Sequence, residues 1–402
     1  MPRRPFLVAL ALLAAFASAS STPAAAAPRR RAATPPPLPP FFCDSGVDVD
    51  GVSVPPEFCI RQFARVATPR VLAFAPNGDL FVSSPRRPTP GGAPRGAAAI
   101  YLYRAEDGER FAFAEGDAFE SVHALLVTRD SFYYSTADAV FSVPYAEGDT
   151  RMAASPRRQI ADVSLNATGR WTHSLAMEPD GTLLVANGQI DNDSCPLPDA
   201  RYGAVLRIGP GHPPRGTILT DGMRDPLFIR CMPWNRCYAM ELSGDIWENL
   251  GGREKLVELE EGRTLGYPCC IDKDLPNPQI HPAPDCSRAS ASLHTFPLHD
   301  TPFGFDWERG FGWPEPYANA FFVGLHGKFG SWQNAGLQWA PVDPETHLPA
   351  APAADFAQGF GRFGAIARVA DVMFAPDGRL FFTDDQGGAI YWIAPRTLRK
   401  PR

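Results

Sequence analysis

The sequence predicts an all-β chain folded as a six-bladed β-propeller, and two observations carry that reading. Short apolar runs of Val, Ile, Leu, Phe and Tyr are punctuated by 43 prolines and 35 glycines, and no segment sustains the 3.6-residue periodicity of a long helix. A strand, tight turn, strand unit then returns at a blade-sized interval along the chain.

The first 27 residues read as a secretory leader. Arg3 and Arg4 precede an apolar stretch, Phe6 to Phe16, with Ala17, Ser18 and Ala19 behind it. That stretch is too short for a membrane span, which needs about 20 apolar residues, and no later one is longer. Residues 28–40, rich in Ala, Arg and Pro, have almost nothing to bury and read as an extended spacer. The propeller is assigned to 41–402.

The repeated unit appears as "LAFAPNGDLFVSS" at 72–84, "LLVTRDSFYYST" at 125–136, "LAMEPDGTLLVAN" at 175–187 and "VMFAPDGRLFFTD" at 372–384. Proline presets φ at the first corner, and Asn-Gly or Asp-Gly accepts the positive φ of a tight hairpin. Measured between Pro76, Asp130 and Pro179, the steps are 54 and 49 residues, followed by a gap of 197 to Pro376. The gap has room for about three more units with insertions at the blade size of this repeat, and "LFIRCMPWNRCYAMEL" (227–242) and "FGFDWERGFGWPEPYANAFFVGLHG" (303–327) are two candidates. A β-sandwich or two β domains also fit short strands, but recurrence over the whole length favours one closed ring.

Without the leader and Arg29 to Arg31, 33 basic residues face 44 acidic ones, a balance of −11. This argues against nucleic acid as a partner. The eight cysteines form an even set in a chain entering an oxidising compartment, so disulfides are expected; Cys231 and Cys237 are spaced to staple a hairpin, and the remaining pairing is open. No spacing matches a zinc module. Asn166-Ala167-Thr168 and Asn192-Asp193-Ser194 are glycosylation sequons.

Common enzyme signatures are absent. There is no Gly-x-Ser-x-Gly elbow, phosphate loop or His-Glu-x-x-His helix. Gly359 to Gly364 spells Gly-x-Gly-x-x-Gly, yet it leads into a strand, where a dinucleotide site needs a helix N-terminus. His173 stands out instead. It sits between Trp171 and a Pro-Asp-Gly hairpin, a loop-to-strand junction where a neutral imidazole could take a hydroxyl proton near pH 7; the alternative is a histidine that only satisfies a hydrogen bond.

The ordered series "WTHSLAMEPDGTLLVANG", "DGMRDPLFIR", "ELSGD" before "LGYPCC", "AFFVGLHGKFGSW" and "ARVADVMFAPDGRLFFTDDQGGAIYWI" resembles the glucose/sorbosone dehydrogenase family from about Val54 to Ile393. The resemblance implies a six-bladed propeller that binds pyrroloquinoline quinone and calcium, oxidises a sugar or polyol and passes electrons to an external acceptor. It places His173 as the base, and Arg224, Arg368 and Lys328 beside the quinone. It also places the main-chain carbonyls of Leu242 and Ser243 on calcium, which prefers hard oxygen ligands. Two positions depart from the pattern: Asp225 stands where the family more often has asparagine, and Ala370 where a second arginine is expected. Those departures keep two rivals open, a non-catalytic binding propeller and a calcium-dependent lactonase drawing on Asn187, Asp191 and Asp385.

Overall fold

The computed structural model describes residues 42–44, 47–88, 95–164, 170–189, 194–209 and 211–397. The leader, the spacer, Asn166, Asn192 and Asp191 lie outside the described residues. Six sheets of four or five strands make the six blades, antiparallel except where Arg263–Thr264 adds parallel to Thr217–Asp221 at the third blade's edge, and one extra two-stranded hairpin, Cys270–Asp272 with Leu275–Pro276, is inserted after the fourth blade's outer strands begin. The inner strands, in chain order, are Leu72–Phe74, Leu125–Val127, Leu175–Met177, Asp225–Met232, Pro302–Trp307 and Val369–Phe374. The two candidate units read in the sequence gap are the fourth and fifth blades.

In the first, third and sixth blades the inner strand turns tightly into its neighbour at a Pro-x-Gly signal, whereas in the fifth residues 308–320 separate the two strands. In the first blade Ala75 N–H donates to Asp79 O at 2.8 Å and Gly78 N–H to Ala75 O at 2.9 Å, with Gly78 at φ 91°. A side chain there would meet the left-handed penalty that glycine escapes. The sixth blade is completed by the chain's beginning: Phe58–Arg65 pairs antiparallel with Ala389–Pro395, so one sheet holds both ends of the ring.

Blades pack through their apolar faces. Aromatic residues dominate several seams, including Phe58, Trp313, Phe322, Phe356 and Phe374 between the fifth and sixth blades, and Phe81, Phe113, Phe132 and Tyr145 between the first and second. Rings of this size bury large apolar area and hold fixed contact angles. Hydroxyls stitch neighbouring blades near the axis. Ser135 Oγ–H donates to His173 O at 2.6 Å, and Thr383 Oγ–H to Arg70 O at 3.0 Å across the ring closure.

Four disulfides account for all eight cysteines: Cys43–Cys59, Cys195–Cys269, Cys231–Cys237 and Cys270–Cys286. The Cys231–Cys237 staple joins directly paired residues of one hairpin, as its spacing predicts. No helix among the described residues is long and apolar enough to cross a membrane.

Candidate active site

A cavity of about 590 Å³ opens where the N-terminal ends of the inner strands converge. Its wall carries Arg70, Arg170, Arg224, Arg368 and Lys328, together with Asp225, Asp245, His299 and His326. Five cations at one cavity contrast with the acidic balance of the whole chain. Of the sequence-predicted residues, the structure brings together Arg224, Asp225, Lys328, Arg368 and Leu242; Ser243 stands one residue behind Leu242, and its side chain is buried.

Each cation is fixed differently. Arg368 is wholly buried, 3.5 Å from Asp385 through Nε, with its guanidinium over the Trp332 ring at 5.5 Å. Its backbone is held from below by Asp384, whose carboxylate accepts the N–H groups of Ala367, Arg368 and Gly387 at 2.8, 3.2 and 2.7 Å. Arg224 pairs with Asp245, and Arg170 donates to Gln189 O at 2.8 Å while lying 3.9 Å from Asp225. Lys328, half exposed, leans toward Glu248 at 3.7 Å.

Arg70 is the residue that motif reading missed. It is wholly buried and bonds Asp385 through Nη1, while Nε and Nη2 have no hydrogen-bond partner among the described residues. A signal for it exists in the repeat. Arg70, His173 and Ala370 each stand six residues before the proline of their hairpin, so the arginine lacking at Ala370 is present at the same offset in the next blade around the ring.

His173 is not brought to the cavity, which corrects the expectation that it is the base. It is wholly buried in the channel wall, with Nδ1 3.1 Å from Ala186 O and Nε2 3.1 Å from Ala137 O. Burial lowers its pKa, so the ring is neutral at pH 7. A neutral imidazole has one N–H, and here carbonyls face both nitrogens, leaving no side of the ring for a substrate.

Buried carboxylates shape the opposite rim. Glu241 accepts Arg224 N–H at 2.9 Å and Asp225 N–H at 3.1 Å; Glu254 accepts Ser243 N–H at 2.6 Å and His299 N–H at 3.1 Å. Burial raises their pKa values to about 7 and about 8. Because these oxygens are spent on loop amides, they orient the Leu242–Ser243 turn and are not themselves open to a metal. Burial also raises Asp225, against the pull of Arg170 and Arg224.

A second ionic cluster joins the cavity to the ring closure. His326 Nε2 lies 3.1 and 3.2 Å from the two oxygens of Asp385, which also pairs with Arg70 and Arg368. Burial alone would raise Asp385, but His326, Arg70 and Arg368 outweigh it and hold the carboxyl well below its ordinary range. His326 itself is pushed down to about 3 by burial, with Arg368 and Arg70 opposing the attraction of Asp385.

Comparison with known proteins places this architecture. No protein-family model matches the chain. An uncharacterized protein of Borreliella burgdorferi is 28% identical over 185 residues, 44% of this chain and 48% of that protein, so the match spans about half of the relative. Solved structures with the same fold include a calcium structure of the Trichoderma reesei carbohydrate-active enzyme of family AA12 (TM-score 0.68, 15% identity, 88% of this chain and 99% of that one). The holo form of the pyranose dehydrogenase PQQ domain of Coprinopsis cinerea superposes with a TM-score of 0.66, 15% identity and coverage of 86% and 99%. A PQQ-bound aldose sugar dehydrogenase of Streptomyces coelicolor gives 0.55, 18% identity, and coverage of 85% and 100%. At these identities the likeness is one of fold, and a fold is separable from its chemistry.

Proposed function

We propose that this chain is an oxidoreductase of sugars or related polyols that works with pyrroloquinoline quinone and calcium at the cationic cavity. The observation that carries the reading is Arg70, a wholly buried guanidinium with two unpartnered nitrogens in the wall of a cavity that holds three more arginines. Unmet buried donors are costly, and an anionic ligand would satisfy them.

The residues fit such a cofactor. Pyrroloquinoline quinone carries three carboxylates, and Arg70, Arg170, Arg224, Arg368 and Lys328 supply enough cations to hold them at one site. Arg70 takes the part that Ala370 cannot, while Asp225, its pKa raised by burial, offers a site that can hold its proton beside an anion. Calcium would rest on the main-chain carbonyls of Leu242 and Ser243, in a turn whose amides Glu254 and Glu241 hold in place. The Ser243 hydroxyl, buried with no hydrogen-bond partner among the described residues, stands in the same turn. When bound, the quinone supplies a two-electron acceptor for hydride from a C–H bond. Phe329, 73% exposed on the cavity rim, presents an apolar ring face on which a sugar can stack. The four disulfides support an oxidising compartment, and with it secretion.

The two rivals fare unequally. The lactonase reading needs carboxylates converging on an ion, whereas Asp385 is committed to Arg70 and His326 and Asn187 Nδ2–H donates to Arg201 O at 2.8 Å. The non-catalytic reading stands on Asp225 and on the withdrawal of His173 from the cavity. A titration of metal-stripped protein with pyrroloquinoline quinone, with and without calcium, separates them by quinone absorbance. Saturable calcium-dependent binding followed by bleaching with aldoses or polyols is expected. Absence of binding at micromolar quinone would overturn the enzyme reading.

A further inference from the structure

We propose that His326, oriented by Asp385, is the proton acceptor of this cavity. The inference rests on the oxidoreductase reading and supplies the base that His173 does not.

The imidazole is fixed on several sides. His326 follows the strand Phe321–Leu325 of the fifth blade, its N–H donating to Thr301 O at 2.9 Å. Its ring stacks on Phe303 with centroids 4.0 Å apart and planes 18° from parallel. Nε2 is bracketed by both oxygens of Asp385, which follows the strand Leu380–Asp384 of the sixth blade. Asp385 is ionised, so Nε2 must carry the proton and donate it, and the lone pair of the neutral ring stands at Nδ1. His326 lines the cavity and Asp385 does not. Nδ1 has no hydrogen-bond partner among the described residues. A carboxylate behind an imidazole fixes its tautomer and stabilises the imidazolium that forms.

The transfer balances as follows: the substrate O–H bond breaks and its proton bonds to Nδ1. The freed electron pair would close the carbonyl as hydride leaves the same carbon for a two-electron acceptor, the chemistry that the quinone would supply when bound. Imidazolium beside ionised Asp385 is then an ion pair. Burial, with Arg368 and Arg70 opposing the pull of Asp385, holds His326 down to about 3; carboxylates placed against those guanidiniums would offset their share and make the ring a better base. Other groups at the cavity are less suited. His299 and Lys328 lean on Glu248 at 3.8 and 3.7 Å toward solvent, and Asp245 is paired with Arg224.

Two measurements on the intact protein test this. Nitrogen-15 imidazole spectra of the quinone-free protein at pH 7, assigned with H326Q, should show His326 neutral and protonated at Nε2; an Nδ1-protonated ring would overturn the inference whatever the cofactor. In the quinone titration, H326Q should bind pyrroloquinoline quinone with a Kd within about threefold of wild type while sugar-driven bleaching slows at least about 100-fold, the usual scale of general base loss. H212Q, at a histidine outside the cavity whose ring meets Thr217, should bleach within about threefold of wild type. Bleaching by H326Q within tenfold of wild type would overturn the role of His326 and leave the oxidoreductase reading standing. Failure of the wild type to bind quinone would overturn both.

Discussion

Two arginine–aspartate pairs bridge blades across the central channel, and they are solved in opposite ways. Arg230, from the fourth blade, gives Nη2 to Asp371 Oδ1 at 2.6 Å and to Val372 O at 2.9 Å, and Nε to Phe305 O at 2.5 Å. Asp371 in turn accepts Leu72 N–H at 2.9 Å and Val372 N–H at 2.8 Å. Arg70 pairs with Asp385 but leaves Nε and Nη2 unmet. One pair is a completed strut joining four blades. The other is an incomplete one, and its incompleteness points to a ligand, because a buried donor without a partner persists only where something else repays it.

The comparison breaks if removing the two arginines has the same effect. Arg230→Met strands a buried carboxylate and should cost about 3–5 kcal/mol in denaturant unfolding. Burial already raises Asp371 against the pull of Arg230. Without the arginine it rises further, so the loss should be larger at pH 8 than at pH 5. Arg70→Met leaves Asp385 its partners His326 and Arg368, so its stability cost should stay below about 2 kcal/mol, the scale of one hydrogen-bonded charge. Quinone binding, read by absorbance titration, should instead weaken at least about 100-fold, two charge-assisted bonds being worth that much.

His173 sharpens the contrast between wall and site. His173→Ala removes a buried ring held by two carbonyls and should lower stability by about 2–3 kcal/mol through a cavity and an unmet carbonyl. Quinone affinity should be unchanged, and a selective loss of binding at full stability would restore His173 to the site. The smallest effect concerns the rim carboxylates. Glu254 and Glu241 have folded pKa values of about 8 and about 7, above their ordinary value of 4.5. The folded state therefore holds their protons more tightly, and their contribution is complete below about pH 4.5 and lost as pH rises through 7 to 8. Glu254→Gln should flatten the fall in Tm between pH 5 and pH 8.

The ring was legible because the first, third and sixth blades repeat one local event, an apolar strand reversed by a proline and a glycine, and the second repeats it with Arg129-Asp130 at the turn. Arg224, Arg368 and Lys328 were legible because each sits in a short ordered motif. Arg70, Arg170 and His326 were not. Their neighbours, such as "TPRVLAF", read as ordinary strand approaches, and their meaning arises from which blade stands opposite. His173 misled for the same reason: its local surroundings are those of a channel residue, and only the positions of the Ala137 and Ala186 carbonyls show that both ring nitrogens face the wall.

The sixth blade takes two strands from the chain's beginning and three from its end, and Arg70 meets Asp385 across 315 residues of sequence. Neither residue can find the other until synthesis is nearly complete. A shortened polypeptide would therefore carry no partial version of the site, and a captured anion would latch the first and last blades together, adding RT ln(1 + [L]/Kd) to the resistance of the whole ring to opening.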